Sequence, residues 1–158
     1  MLRQGMAMDI RLSETLAMVA LAMRAARSPW WVIGSAAVAL HGADQISVAD
    51  VDILLSVEDA NAILLPLGLT IGRGGEHDMF RSEIFARWET PPLTVEFMAG
   101  FAVLQDASWQ SVWPQTRQLI PLDGAKIPVP ERSELIAILT QFGRPKDNER
   151  ADILRGLA

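Results

Sequence analysis

The chain has 158 residues, half of them hydrophobic and 21% charged, which is the content of one domain able to bury a core. Its formal charge of −5 argues against strong general nucleic-acid binding through counterion release, but leaves small-molecule phosphates open as partners. Cysteine is absent, so neither a disulfide framework nor a thiolate metal site is available, and the expectation is a cytoplasmic protein.

The opening stretch is rich in Ala, Met and Leu, but Glu14 and Arg24 interrupt it, so it is not read as a signal peptide. Leu12, Leu16, Val19, Ala20 and Met23 keep helical spacing, Ser13 offers an N-cap, and Ser28-Pro29 predicts an end near Arg27. No segment has the length to span a bilayer. "WWVIG" reads as a short strand entering a turn at Gly34-Ser35, and "SAAVALHG" as a short helix closed by Gly42. His41, just before that glycine, reads as a packing or capping histidine rather than a ligand.

After a polar connection through Gln45, "VDILLS" has the near-continuous apolar character of a strand buried on both faces. "VEDANAILLPLG" reads as a helix stopped by Pro66 and Gly68. The Gly72–His77 stretch reads as a hairpin turn between strands, because no lysine or Ser/Thr completes a phosphate-loop pattern there. "PPLTVEFMAG" supplies a further strand, whereas 101–113 shows no clear period. Asp123-Gly124, between two apolar alternations, predicts a hairpin. Residues from about 131 to 157 form two amphipathic helices divided by Gly143 and Pro145. The mixture predicts a single α+β domain over 1–158, with a mixed β-sheet flanked by helices. The five tryptophans are assigned to the core, with one of them free to stack on a base.

Chemistry concentrates in Asp50 and Asp52. Residues two apart on a strand point to the same face, so the carboxylates rise side by side and repel unless a proton or a cation sits between them. A hard divalent cation, Mg²⁺ or Mn²⁺, resolves the conflict, since Mg²⁺ takes one or two carboxylates plus substrate phosphates. Glu96, inside "LTVEFMA", joins them if its strand neighbours theirs, and three carboxylates can hold two cations. The Gly34-Ser35 turn opens a helix, where free amides suit a phosphate and glycine permits close approach.

Gly-Ser, a small-residue helix and then Asp-Val-Asp-Ile on a strand together resemble the signature of the nucleotidyltransferase (polymerase-β-like) superfamily. The stretch "IGSAAVALHGADQISVADVDIL" is similar to small bacterial members of the antitoxin-system and aminoglycoside types, and "LIAILTQFGRPKDNERADILRGL" is similar to their C-terminal helices. Two positions depart from the pattern: Gln45 stands where such proteins often carry arginine, and Leu139 or Thr140 where they often carry lysine.

The resemblance implies transfer of a nucleoside monophosphate from a nucleoside triphosphate, ATP among them, to an unidentified acceptor hydroxyl. Asp50, Asp52 and Glu96 would be the catalytic and metal-binding acids, and Gly34 and Ser35 would hold the outgoing phosphates. Arg144 and Lys146 either reach back to the nucleotide or, with Asp147 as a helix cap, serve only the start of the last helix. The alternative function is a regulatory module that kept the fold, lost turnover and works with a protein partner, as in toxin–antitoxin-like pairs.

Overall fold

The computed structural model describes residues 9–44, 46–74 and 77–158, so Gln45 and the middle of the Gly72–His77 turn lie outside it. The first helix, α1 (Ile10–Ala22), buries Leu12, Leu16 and Val19 as their spacing predicts. Its cap is Asp9 rather than Ser13: the Asp9 carboxylate accepts from the Arg11 N–H at 2.8 Å, and the Ser13 N–H already donates to the Asp9 carbonyl. Either side chain can cap a helix, and Asp9 is the one standing immediately before the first helical residue. The helix runs out through one 3₁₀ turn at Met23–Ala25, slightly short of Arg27.

One mixed sheet follows. β1 (Trp31–Ile33), β2 (Asp50–Leu55), β5 (Thr94–Ala99), β4 (Phe80–Trp88), β6 (Ala102–Gln105) and β7 (Ser108–Ser111) lie side by side in that order, and β3 (Gly72–Gly74) also pairs with β4. β2 and β5 run parallel, while the other pairs are antiparallel. The parallel pair is joined through α3 (Val57–Leu64), whose cap Ser56 accepts from the Asp59 N–H at 3.0 Å. Asp59 is buried there and accepts from the Arg27 and Ser28 amides at 3.0 Å each, which anchors the break after α1.

Alternation along β2 sorts the sheet into two faces. Val51, Ile53 and Leu55, with Val95, Phe97 and Val32, pack into the main core against α1, α2 (Gly34–Leu40) and α3. Trp31, Ile33, Leu54 and Met98 point the other way and meet Phe101, Val103, Ile138 and Phe142 in a smaller apolar cluster. Asp50 and Asp52 belong to this second face.

The segment 101–113 proves to be the β6–β7 hairpin, turning at Asp106 and Ala107 with φ of 51° and 62°. Both central residues are left-handed, as a type I′ hairpin turn requires. The Asp123-Gly124 hairpin forms where it was read, between β8 (Gln118–Leu122) and β9 (Ala125–Val129). Two helices close the chain, α4 (Arg132–Phe142) and α5 (Pro145–Arg155), with Gly143 at φ 73° between them. Among the described residues no helix is long and apolar enough to cross a membrane.

Candidate active site

Strand register builds the centre of the site. Ile33 on β1 is level with Asp52 on β2, Asp52 with Glu96 on β5, and Glu96 with Arg87 on β4. Residues level with one another on paired strands share a face, so a row of side chains crosses four strands. Asp50 stands two residues before Asp52 on the same face, level with Thr94. The sheet therefore brings Asp50, Asp52 and Glu96 to one edge region, with Glu96 on the neighbouring strand.

Glu96 has a partner that the sequence did not reveal. The Arg87 guanidinium donates to its carboxylate at 2.7 Å across the antiparallel β4–β5 pair. Glu96 meets Arg87 on one side and Asp52 on the other, and among the described residues no three carboxylates or imidazoles surround a point where one ion would sit.

Gly34 follows β1 directly and opens α2. Its φ of 71° suits glycine, and a Cβ there would lie 2.9 Å from the Asp52 Oδ2. The carboxylate fills the space that any side chain would need, so backbone and acid meet here because residue 34 has none. No side chain caps the start of α2, whose N-cap is Ile33, and Ser35 is buried beside it.

Electrostatics follow from this crowding. Burial first, then repulsion from Asp50 and Glu96 and a hydrogen bond with Glu96, push the Asp52 carboxyl up to about 8. Asp50 is raised by partial burial and by Glu96, with Lys146, Arg150 and Arg87 pulling it back. The crowding of the acids thus favours a proton on Asp52, and the Arg87 guanidinium stands against Glu96. A Mg²⁺ or Mn²⁺ ion, which takes one or two carboxylates and completes its shell with phosphate oxygens or water, would be held by Asp50 and Asp52 on displacing that proton.

A cavity of about 580 Å³ opens in front of the row, from Gly34 and Asp52 at one end to Arg81 and His77 at the other. Arg144 lines it, but its guanidinium is engaged with Asp147 at 2.6 Å and lies over the Phe80 ring at 4.8 Å. Asp147 is fully buried and closes a reciprocal cap at the start of α5, so the capping reading of this residue describes its contacts. Lys146 is exposed and outside the cavity wall, although its charge still reaches Asp50.

Arg150 lines the cavity and acts on both Asp50 and Asp52, a role the sequence reading missed. Its signal was present: it lies one helical turn beyond Lys146, on the same side of α5. Arg73, Arg81 and Arg87 also line the cavity, and nothing in their local sequence sets them apart. His41 is accounted for by a 2.8 Å hydrogen bond between its Nε2 and the Pro130 carbonyl. Trp30, Trp31 and Trp88 are buried as expected, while Trp113 is 40% exposed.

No family model matches the chain, and no curated protein matches it in sequence. Solved structures do. A Thermotoga maritima protein assigned to the nucleotidyltransferases superposes with a TM-score of 0.66 at 24% identity, covering 89% of this chain and 88% of its own. The antibiotic-resistance factor ANT(2'')-Ia, also solved in complex with adenylyl-2''-tobramycin, gives 0.61 at 15% identity over 93% and 84%. The lincosamide antibiotic adenylyltransferase LnuA, solved with lincomycin, gives 0.54 at 12% identity over 82% and 87%.

Proposed function

On the nucleotidyltransferase fold that this chain adopts, we propose metal-dependent transfer of a nucleoside monophosphate from a nucleoside triphosphate to an acceptor hydroxyl, with release of pyrophosphate. One observation carries the reading: Asp52 stands level with Glu96 on the parallel strands β2 and β5, with Asp50 on the same face and the Gly34 backbone against Asp52. A structural role alone explains neither the pairing of acids nor the glycine against which one of them is pressed.

A divalent cation held by Asp50, Asp52 and Glu96 would neutralise the phosphates and lower the pKa of the acceptor hydroxyl. The protein's own part is positioning. Gly34 and Ser35 offer backbone amides at the uncapped start of α2 to the outgoing phosphates. Arg150, on the cavity wall near the aspartates, stabilises the charge that grows on the leaving group. Glu96 releases Arg87 and accepts the acceptor's proton. Arg144 and Lys146 keep to the start of α5 and to the approach to Asp50, respectively. In-line displacement gains most of its rate from such positioning and charge neutralisation.

Incubation with α-labelled nucleoside triphosphates and Mg²⁺ or Mn²⁺ tests the reading. Label should pass to an added acceptor or to the protein itself, and Asp52→Asn should abolish that transfer. Metal-dependent nucleotide binding with no transfer to any acceptor would point instead to a regulatory module. The absence of nucleotide binding with either metal would overturn the proposal.

A further inference from the structure

The geometry points to an acceptor that carries negative charge on a flat apolar body, a class opposite to the polycationic aminoglycosides. The inference rests on the transfer reading above and names the substrate class for the same site. Five arginines border the cavity, Arg73, Arg81, Arg87, Arg144 and Arg150, against three acids, Asp52, Glu96 and Asp147. Two of the arginines are already matched inside the protein, Arg87 by Glu96 at 2.7 Å and Arg144 by Asp147 at 2.6 Å. Among the described residues, Arg73, Arg81 and Arg150 are then set against Asp52 on the wall and Asp50 beside it, both at the Arg150 end, and the far part of the cavity is cationic.

These three are not gathered at one point. Arg150 belongs to the acid end, where its charge reaches Asp50 and Asp52. Arg81 precedes Arg87 by six residues on β4, roughly 20 Å at about 3.3 Å per residue. Arg73 lies on β3, which pairs with the middle of β4 between Ser82 and Phe85, so it stands between Arg81 and Arg87 along the cavity. A phosphate seated at Gly34 cannot span to that far end.

The Arg81 guanidinium is held over the Trp109 ring, 4.3 Å from its centroid. Glu83, between Arg81 and Phe85 on β4, folds against Gly100, where an added Cβ would come within 2.5 Å of its Oε2, and does not line the cavity.

Between the two ends the wall is apolar and aromatic, formed by Phe85, Met98, Phe101 and Phe142. Such a wall favours a planar ring. Guanidinium forks at the far end favour a carboxylate or phosphate, which they bind through paired hydrogen bonds. An acceptor anchored in this way, and long enough to cross the apolar wall, brings its hydroxyl to Asp52 and Glu96. An ammonium-bearing acceptor meets like charge instead, in a cavity where field lines are focused.

Two probes of the same shape and opposite charge, each too short to reach the acids as well, test the anchoring end of the cavity on the full chain: 3-(4-hydroxyphenyl)propionate and tyramine, with tobramycin as the polycation. Calorimetry or ligand-detected NMR should find the propionate bound at least tenfold more tightly than tyramine or tobramycin, and still bound when Mg-ATP is saturating. Arg73→Gln and Arg81→Gln should each remove most of that preference. Equal affinities for the two phenols, including no detectable binding of either, overturn the inference, as does tighter tobramycin binding. Displacement of the propionate by Mg-ATP also overturns it, because the far arginines would then serve the nucleotide. The transfer reading fails on a different result, a lack of Mg-ATP binding, which leaves the measured charge preference of the cavity intact.

Discussion

Replacing Asp52 by asparagine should stabilise the metal-free fold near neutral pH, although the residue sits at the centre of the site. Its folded-state pKa is raised from 3.8 to about 8, so the folded chain keeps a proton that the unfolded chain has released. Stability therefore falls as pH rises from about 4 to 8, and levels off above that, once both states are ionised. The limiting slope is about 1.36 kcal/mol per pH unit, or roughly 3 kcal/mol between pH 5 and 7.5.

Two features reduce that figure. The residue lines the cavity and is only half-buried, and it shares its proton balance with Asp50 and Glu96, so a net effect of about 1–2 kcal/mol is expected. For a chain of this length that corresponds to a melting temperature some 3–7 °C higher for Asp52→Asn at pH 7.5 in chelator, with a smaller gap at pH 5. Calorimetric melts of both proteins at the two pH values measure it. Millimolar Mg²⁺ or Mn²⁺ should then raise the melting temperature of the wild type alone, because only its folded state binds the ion. A lower melting temperature for Asp52→Asn at pH 7.5 in chelator, or an unchanged gap between the two pH values, would refute the reasoning.

Gly34→Ala combines a left-handed backbone with a Cβ 2.9 Å from the Asp52 Oδ2, so it should cost about 1–3 kcal/mol in urea denaturation and weaken Mg-ATP binding as well. Arg87→Gln removes an ion pair whose arginine is half exposed; the fold should change by less than about 1 kcal/mol, while divalent-ion affinity rises several-fold in calorimetry because Glu96 is freed. Asp147→Ala removes a buried cap and strands Arg144, and should cost about 3 kcal/mol, whereas Asp147→Asn keeps part of the cap and loses less. Thermal melts of the two Asp147 variants should preserve that ranking.

The acid pair was legible because a strand's period is two, which puts Asp50 and Asp52 on one face whatever surrounds them. Glu96 was legible as an acid inside an apolar strand, but its place beside the aspartates stayed conditional, since strand adjacency is a long-range property. Arg87 was hidden for the same reason: its register against Glu96 is fixed by how β4 and β5 meet across Pro91-Pro92, which no local pattern encodes. The β6–β7 hairpin escaped notice because its turn uses Asp106 and Ala107, with no glycine to announce left-handed backbone. Arg144 was open to two readings because arginine suits a phosphate and a carboxylate equally well, and the buried Asp147 beside it took the guanidinium.

The split of the sheet into two faces has an evolutionary consequence. The residues that hold the domain together lie on one side, and those that border the cavity lie on the other, in a cluster of their own. Substitutions at Phe85, Phe101 or Phe142 can reshape the cavity wall while the main core keeps the spacing of β2 and β5. On the transfer reading proposed above, a lineage built on this plan would exchange one acceptor for another by repainting a single wall, with the acids, and the frame that spaces them, left untouched.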